Sequence, residues 1–169
     1  MTQVGVIGIG DMGSGLAKNL IANGLETWGI DALAHRQQAC ADMGGHKAAS
    51  VAEVGRNAQA VFVMVMKGAE AQAVIHGPGG LAETMAPGGV ILLTATVKPA
   101  EARSIGAALE GSGLHLIDSP VSGGYPGAQA GTLTMMAAGS DAAMAAARPV
   151  MEAVSANIHR GGKIGRAHV

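Results

Sequence analysis

Val4–Gly24, VGVIGIGDMGSGLAKNLIANG, decides the fold. It reads as a β-branched buried strand over residues 3–9, then a glycine turn, then a helix. The helix carries Leu16, Leu20 and Ile21 on one face and Lys18 and Asn19 on the other. Gly8, Gly10 and Gly13 stand in G-x-G-x-x-G spacing. In that arrangement the first glycine permits a tight turn and the second lets the backbone approach a pyrophosphate. The third lets the helix pack closely on the strand, so that its N-terminus faces the phosphates. A chain with 27 glycines can produce the bare pattern by accident. The strand before it and the helical pattern after it give it weight.

Working outward, Gly24 reads as a helix C-terminal cap. Leu25–Ile30, LETWGI, is a second strand that ends at Asp31. Asp31 lies roughly 20 residues past the last glycine, where a carboxylate accepts hydrogen bonds from the adenosine ribose and disfavours a 2′-phosphate. This points to NAD rather than NADP. The competing reading is a turn or helix-cap aspartate. Arg36 reads as a solvated helix residue, or else as a phosphate neighbour. Ala34–Met43 is predicted helical and stopped by Gly44-Gly45, with a short strand near Lys47–Ala48. Ser50 with Glu53 three residues on is a capping box.

Ala60–Met66, AVFVMVM, and Gly89–Thr96, GVILLTAT, are apolar runs of the kind found in strands covered on both faces. Ala71–Ile75 and Gly80–Met85 are predicted as short helices, and Pro99 opens another that runs to Leu109. His115–Ile117 and Thr132–Ala138 are predicted strands, joined by Asp118–Gly131, DSPVSGGYPGAQAG, to which no element is assigned. Ser140-Asp141 caps a helix through Ala147, Pro149 starts a separate segment to Ala153, and Asn157–His159 is a last strand. Met64, Met66, Met135 and Met136 read as core filling. Strands alternating with helices predict an α/β fold: a Rossmann-like, doubly wound, mostly parallel sheet in a single domain of residues 1–162. Ligands bind beyond the carboxyl ends of such strands. That singles out Gly8–Gly13, Asp31, Met66-Lys67, Thr94–Thr96 and Ser119–Gly124. In the last of these, a serine beside two glycines can offer backbone N–H groups and a hydroxyl to an anion, or can be an ordinary turn.

Composition narrows the function classes. The chain has 169 residues, 49% hydrophobic and 14% charged, which suits one α/β core and excludes disorder. A net charge of −1 with no basic run argues against a nucleic-acid partner. No apolar run reaches membrane-spanning length, and MTQVG leads straight into a strand, so neither membrane insertion nor a signal peptide is expected. Cys40, the sole cysteine, suits a reducing compartment, and the cytoplasm is the expected location. His35, His46, His76, His115, His159 and His168 show no ligand spacing, so no metal site is expected.

Three stretches in order carry a family resemblance: Gly8–Leu20, GIGDMGSGLAKNL; Asp118–Gly124, DSPVSGG; and Gly127–Thr134, GAQAGTLT. The chain resembles the N-terminal half of the β-hydroxyacid dehydrogenases, the group of 3-hydroxyisobutyrate, L-threonate and 6-phosphogluconate dehydrogenases. GLETWGID and the later PGAQAGTLTMMAAGSD are most similar to L-threonate dehydrogenases. The resemblance implies that Gly8, Ile9, Gly10, Asp11, Met12 and Gly13 hold the NAD pyrophosphate and that Asp31 holds the adenosine ribose. It implies Thr96 at the nicotinamide ribose, and Ser122, Gly123 and Gly124 at the carboxylate of a small hydroxy-acid substrate; Met66, at a strand end, is expected at the cofactor cleft. Two departures loosen the substrate assignment. Ala95 precedes Thr96 where the family often has Ser-Thr, and Lys67-Gly68 stands where many members have Leu-Pro.

The family's general acid/base is a lysine in a Lys-x-x-Asn pattern on a helix beyond this domain, followed by an all-helical domain that forms much of a homo-oligomer. Neither is expected in this chain, so no catalytic residue is assigned and the fragment is expected to be inactive. Lys163–Val169, KIGRAHV, matches the translation of a sequencing-adapter read and is expected to be a foreign tail. The competing function is a non-catalytic, NAD-sensing or regulatory Rossmann module. Retention of SPVSGG favours the dehydrogenase, since a sensor has no use for a substrate loop.

Overall fold

The structure is a computed structural model that describes residues 2–164. The first strand, β1 (Gln3–Ile7), leads through the glycine turn to α1 (Asp11–Ala22) and β2 (Glu26–Ile30). Then come α2 (Ala34–Asp42), β3 (His46–Lys47), α3 (Val51–Asn57), β4 (Ala60–Val63), α4 (Gly68–His76), α5 (Leu81–Thr84), β5 (Val90–Leu93), α6 (Pro99–Ala108) and β6 (His115–Asp118). The chain closes with β7 (Val121–Ser122), α7 (Gly124–Ala130), β8 (Leu133–Ala138), α8 (Asp141–Val154) and β9 (Ser155–Gly162). Lys163 and Ile164 of the expected tail are described, and the remainder of it lies outside the described residues.

The sheet runs β3-β2-β1-β4-β5-β6-β8-β7, with β9 on the other side of β8. Strands β1 to β6 pair in parallel; β8 is antiparallel to β6 and β7. The order reverses between β1 and β4, which makes their carboxyl ends the switch point of the sheet. Period-2 alternation fills both faces. Val4, Val6, Phe62, Val90 and Leu92 pack on one side with Leu16 and Leu20 of α1 and Met144, Val150 and Met151 of α8. Ile7, Val61, Val63, Ile91 and Leu93 pack on the other with Val54, Ile75 and Ile105. The apolar runs read in the sequence are therefore strands buried on two sides. Ser50 caps α3 as expected, its Oγ accepting from Glu53 N at 3.1 Å while Glu53 Oε2 accepts from Ala49 N at 2.7 Å. Cys40 is fully buried, and burial pushes its thiol up.

Four expectations are corrected. Asp118–Gly131, assigned no element from the sequence, holds β7 and the helix α7, which docks on α1. Pro149 does not begin a new helix but sits inside α8. A proline in a helix interior costs about 3 kcal/mol. Burial of Met144, Ala147, Val150, Met151 and Val154, a stripe at helical spacing, offsets that cost. Ala60–Met66 leaves the sheet after Val63, because the Gly8 turn crosses the Met64 carbonyl. Of the four methionines read as core, Met135 is fully buried and Met64 half-buried, whereas Met66 is 83% exposed and Met136 is exposed as well.

Candidate functional site: a cleft at the sheet's switch point

Gly8 and Gly13 of the turn are each required by a contact. Gly8 has φ +95°, and a Cβ there would lie 1.9 Å from Met64 O. A Cβ on Gly13 would lie 1.7 Å from Gly8 O. The turn is thus folded between the end of β4 and the start of α1, with Gly8 N donating to Ile30 O at 2.9 Å. Gly10 is different. A Cβ there would meet only the Arg36 guanidinium, at 3.8 Å. Its face is open space bounded by a cation. Gly10 is the N-cap of α1, and Ser14 N makes the first intrahelical bond, to Gly10 O at 2.8 Å. The N–H groups of Asp11, Met12 and Gly13 therefore have no acceptor within the helix. An open backbone face, unpaired helix N–H groups and a nearby guanidinium fit the pyrophosphate of a dinucleotide.

Asp31 follows the last residue of β2 and reaches back over the turn. Its Oδ2 accepts from Ile9 N at 2.8 Å and its Oδ1 from Leu33 N at 2.9 Å. Its side chain is 8% exposed. Asp31 holds the turn, and each of its oxygens keeps a lone pair beyond its backbone bond that a further donor could use. Ile9, by contrast, turns neither its side chain nor its N–H to the cleft. Its side chain is in the core and its N–H is held by Asp31.

Gly8, Gly10, Asp31 and Met66 line one cleft of 440 Å³, whose walls include Leu33, Arg36, Val65 and Glu70. The hydrophobic run after β4 thus continues as an apolar wall. Thr96 and Ser122–Gly124 do not line this cleft. They are exposed, Thr96 just past β5 and Ser122–Gly124 past β6, further along the carboxyl edge of the sheet. Thr94, which the sequence also placed at the strand end, is structural: its hydroxyl donates to Val63 O at 3.0 Å and is buried. Lys67 and Lys98 are exposed residues before α4 and α6. Among the described residues no three His, Cys, Asp or Glu side chains gather to hold a metal, and no helix is long and apolar enough to cross a membrane.

Sequence reasoning missed the link between the turn and the Ser122–Gly124 stretch. Asn19 on α1 donates through Nδ2 to Ala128 O at 2.9 Å and Gln129 O at 3.1 Å, capping the last turn of α7 from outside. Gly15 lies against it so closely that a Cβ would be 2.5 Å from the Ala128 carbonyl carbon. The extra glycine after Gly13 was the available signal.

At the end of β6, Ser119 is fully buried, and its Oγ has no hydrogen-bond partner among the described residues. An unpaired buried hydroxyl costs about 1–3 kcal/mol. Ser119→Ala is therefore expected to leave stability unchanged or raise it by about 1 kcal/mol, read from urea midpoints. A clear loss would show that the hydroxyl has a partner.

Over residues 3–162 the chain matches the family described as the NAD binding domain of 6-phosphogluconate dehydrogenase. It belongs to that family. The L-threonate dehydrogenase of Escherichia coli strain K12 is 37% identical to this NAD-binding domain over 165 residues, covering 94% of this chain and 53% of that protein. The NAD-dependent L-serine dehydrogenase of Pseudomonas aeruginosa is 35% identical over 169 residues, covering 100% of this chain and 57% of that protein. The structure of 3-hydroxyisobutyrate dehydrogenase from Salmonella typhimurium superposes with a TM-score of 0.93 at 34% identity, over 99% of this chain and 58% of that one. The chain spans about half the length of the curated relatives it matches.

Proposed function

We propose that the chain is the cofactor half of a dehydrogenase that passes a hydride between NAD and a small, threonate-like 3-hydroxy acid. The observation that carries this reading is the glycine turn at the sheet's switch point, held by the carboxylate of Asp31. Gly8–Gly13 and the first N–H groups of α1 hold the pyrophosphate. Asp31 takes the adenosine ribose, Met66 walls the cleft, and Thr96 meets the nicotinamide ribose. Ser122, Gly123 and Gly124 take the substrate carboxylate. Bound NAD supplies the hydride acceptor. The chain's own residues bind and orient; none of them is assigned the proton transfer, since the sequence contains no Lys-x-x-Asn. We therefore expect NAD binding without turnover of threonate by this chain, because loss of a general acid/base alone typically lowers rate about 10²–10⁴-fold.

Titration calorimetry with NAD and NADP tests the reading, alongside absorbance at the NADH band with L-threonate present. NAD should bind at least tenfold more tightly than NADP, with no NADH formed. A chain that takes up neither nucleotide, or prefers NADP, defeats the proposal.

A further inference from the structure

Gly68 is the first residue of α4, and no left-handed backbone calls for a glycine there. Inside a helix, alanine is the better residue. The missing side chain makes room for a neighbour: a Cβ on Gly68 would overlap Oε2 of Glu101, in the first turn of α6, with Oε1 3.3 Å away. Gly68 is thus a notch, and the Glu101 carboxylate sits in it. This gives a physical reason for Lys67-Gly68, one of the two departures from the family pattern. A proline at 68 would fill the notch with its ring.

Lys67 is the N-cap of α4, and its side chain makes no cap hydrogen bond. Ala71 N makes the first intrahelical bond, to Lys67 O at 3.1 Å, so the N–H groups of Gly68, Ala69 and Glu70 have no acceptor within the helix. A carboxylate placed there meets the positive end of the helix dipole. None of the residues lining the 500 Å³ groove between α4 and α6 is basic, and Glu101 enters no ion pair among the described residues. The helix start is therefore the positive partner that the groove offers it. At the far end of α4, His76 Nε2 donates to Ile105 O at 3.1 Å, so α4 is tied to α6 at both of its ends.

The start of α4 borders two spaces. Gly68 and Ala69 line the groove, while Met66 and Glu70 line the cofactor cleft. We infer that Glu101 is a positioning residue for the cofactor: its carboxylate, seated in the Gly68 notch, holds the start of α4 and so fixes the wall formed by Met66 and Glu70. This deepens the NAD-binding reading above and rests on it. Glu101 does not line the cleft and acts through α4. Its charge has two opposed effects. It repels the phosphates of a dinucleotide, so that its removal would tighten binding, and it steadies the wall, so that its removal would weaken binding. Glu101 is half-buried and outside the cleft, so solvent screens the repulsion, whereas the contact with the helix start is direct. Weakening wins.

The test is NAD calorimetry and hydrogen exchange on the wild type, Glu101→Ala, Glu101→Gln, Gly68→Ala and the Gly68→Ala/Glu101→Ala double variant. Gly68→Ala puts a methyl group in the notch. Only the far end of a flexible side chain stands in its way, so the thermal midpoint should hold while the carboxylate swings out. Glu101→Ala and Gly68→Ala should each weaken NAD about three- to fivefold, the scale on which an anion stabilises a helix start. The double variant should bind no more weakly than either single one, because both remove the same contact. Glu101→Gln keeps an oxygen in the notch and should retain part of the affinity. Amides of residues 68–71 should exchange faster in both single variants, with β1, β4 and β5 unchanged. A purely structural contact would lower the thermal midpoint and leave NAD affinity alone. Unchanged or tighter NAD binding in either single variant would overturn the inference. So would losses that add in the double variant, or unchanged exchange at 68–71. If Glu101→Ala does not fold, Gly68→Ala decides alone by the same two readouts. A wild-type chain that does not bind NAD sinks the cofactor reading instead, while exchange at 68–71 still tests the hold of Glu101 on α4.

Discussion

Gly13→Ala is expected to abolish NAD binding and to destabilise the chain by more than about 3 kcal/mol. Two effects oppose each other. Alanine is the better helix former, by about 1 kcal/mol in a helix interior. Against this, the new methyl carbon would lie 1.7 Å from the Gly8 carbonyl oxygen and 2.8 Å from its carbon. Ordinary carbon contacts sit at roughly 3.5–4.0 Å. The atoms in the way are backbone, and they cannot retreat, because Gly8 is itself pinned between Ile30 O and Met64 O. Overpacking that flexible side chains can absorb costs about 1–3 kcal/mol. Here α1 must lift from β1, which carries away the first N–H groups of α1, proposed above to hold the pyrophosphate. Gly24→Ala is the control. Gly24 has φ +80° but nothing within 4 Å of its added Cβ, so only the left-handed strain of about 1–2 kcal/mol applies. Urea unfolding of the two variants beside the wild type separates these cases. Equal losses would refute the close-approach argument.

Asn19→Ala is expected to cost about 2–4 kcal/mol and to loosen the stretch from Ser122 to Gly131. Its amide bridges 109 and 110 positions of sequence to reach Ala128 O and Gln129 O, and it also bonds Gly15 O within its own helix. Alanine strands part-buried carbonyls at the C-terminus of α7, at about 1–3 kcal/mol for each that finds no partner. Water reaches some of them, which keeps the sum below the maximum. Gly131, the left-handed cap of α7, packs on the same side chain. Helix α7 follows directly on Ser122–Gly124, so whatever frees the helix also frees that loop. Hydrogen exchange should show faster amides over residues 122–131 in Asn19→Ala, with β1, β4 and β5 unchanged. Uniform acceleration across the sheet would mean global destabilisation without a local clamp.

The cofactor cleft was more legible in the sequence than the rest of the candidate site. The glycine spacing and Asp31 belong to a unit that is contiguous in the chain, and Gly8, Gly10 and Asp31 do line one cleft. Met66 was placed at that cleft for the wrong reason as well as the right one: read also as core, it is an exposed wall. Thr96 and Ser122–Gly124 were found as strand-end residues, but where Ser122–Gly124 sits depends on how α7 seats on α1, which no local pattern encodes. Asn19 looked like the polar face of an ordinary helix, and Arg36 read as a solvated helix residue or a phosphate neighbour. Their roles come from partners on other elements.

By itself the sequence determined the sheet and the turn, since both follow from short-range rules. The β-branched runs at residues 4–7, 60–63 and 90–93 have no polar face to expose, so they must be covered on both sides. The glycine spacing is local to one β-α unit, and the tightest contact within that unit is that of Gly13 on Gly8 O. Only the tertiary structure decided that GYPGAQA is a helix, that α8 runs through Pro149, and that AVFVMVM leaves the sheet halfway. In each case local propensity pointed elsewhere. Packing against α1, burial of the α8 stripe and the crossing of the Gly8 turn outweighed it, because each acts between residues far apart in the chain.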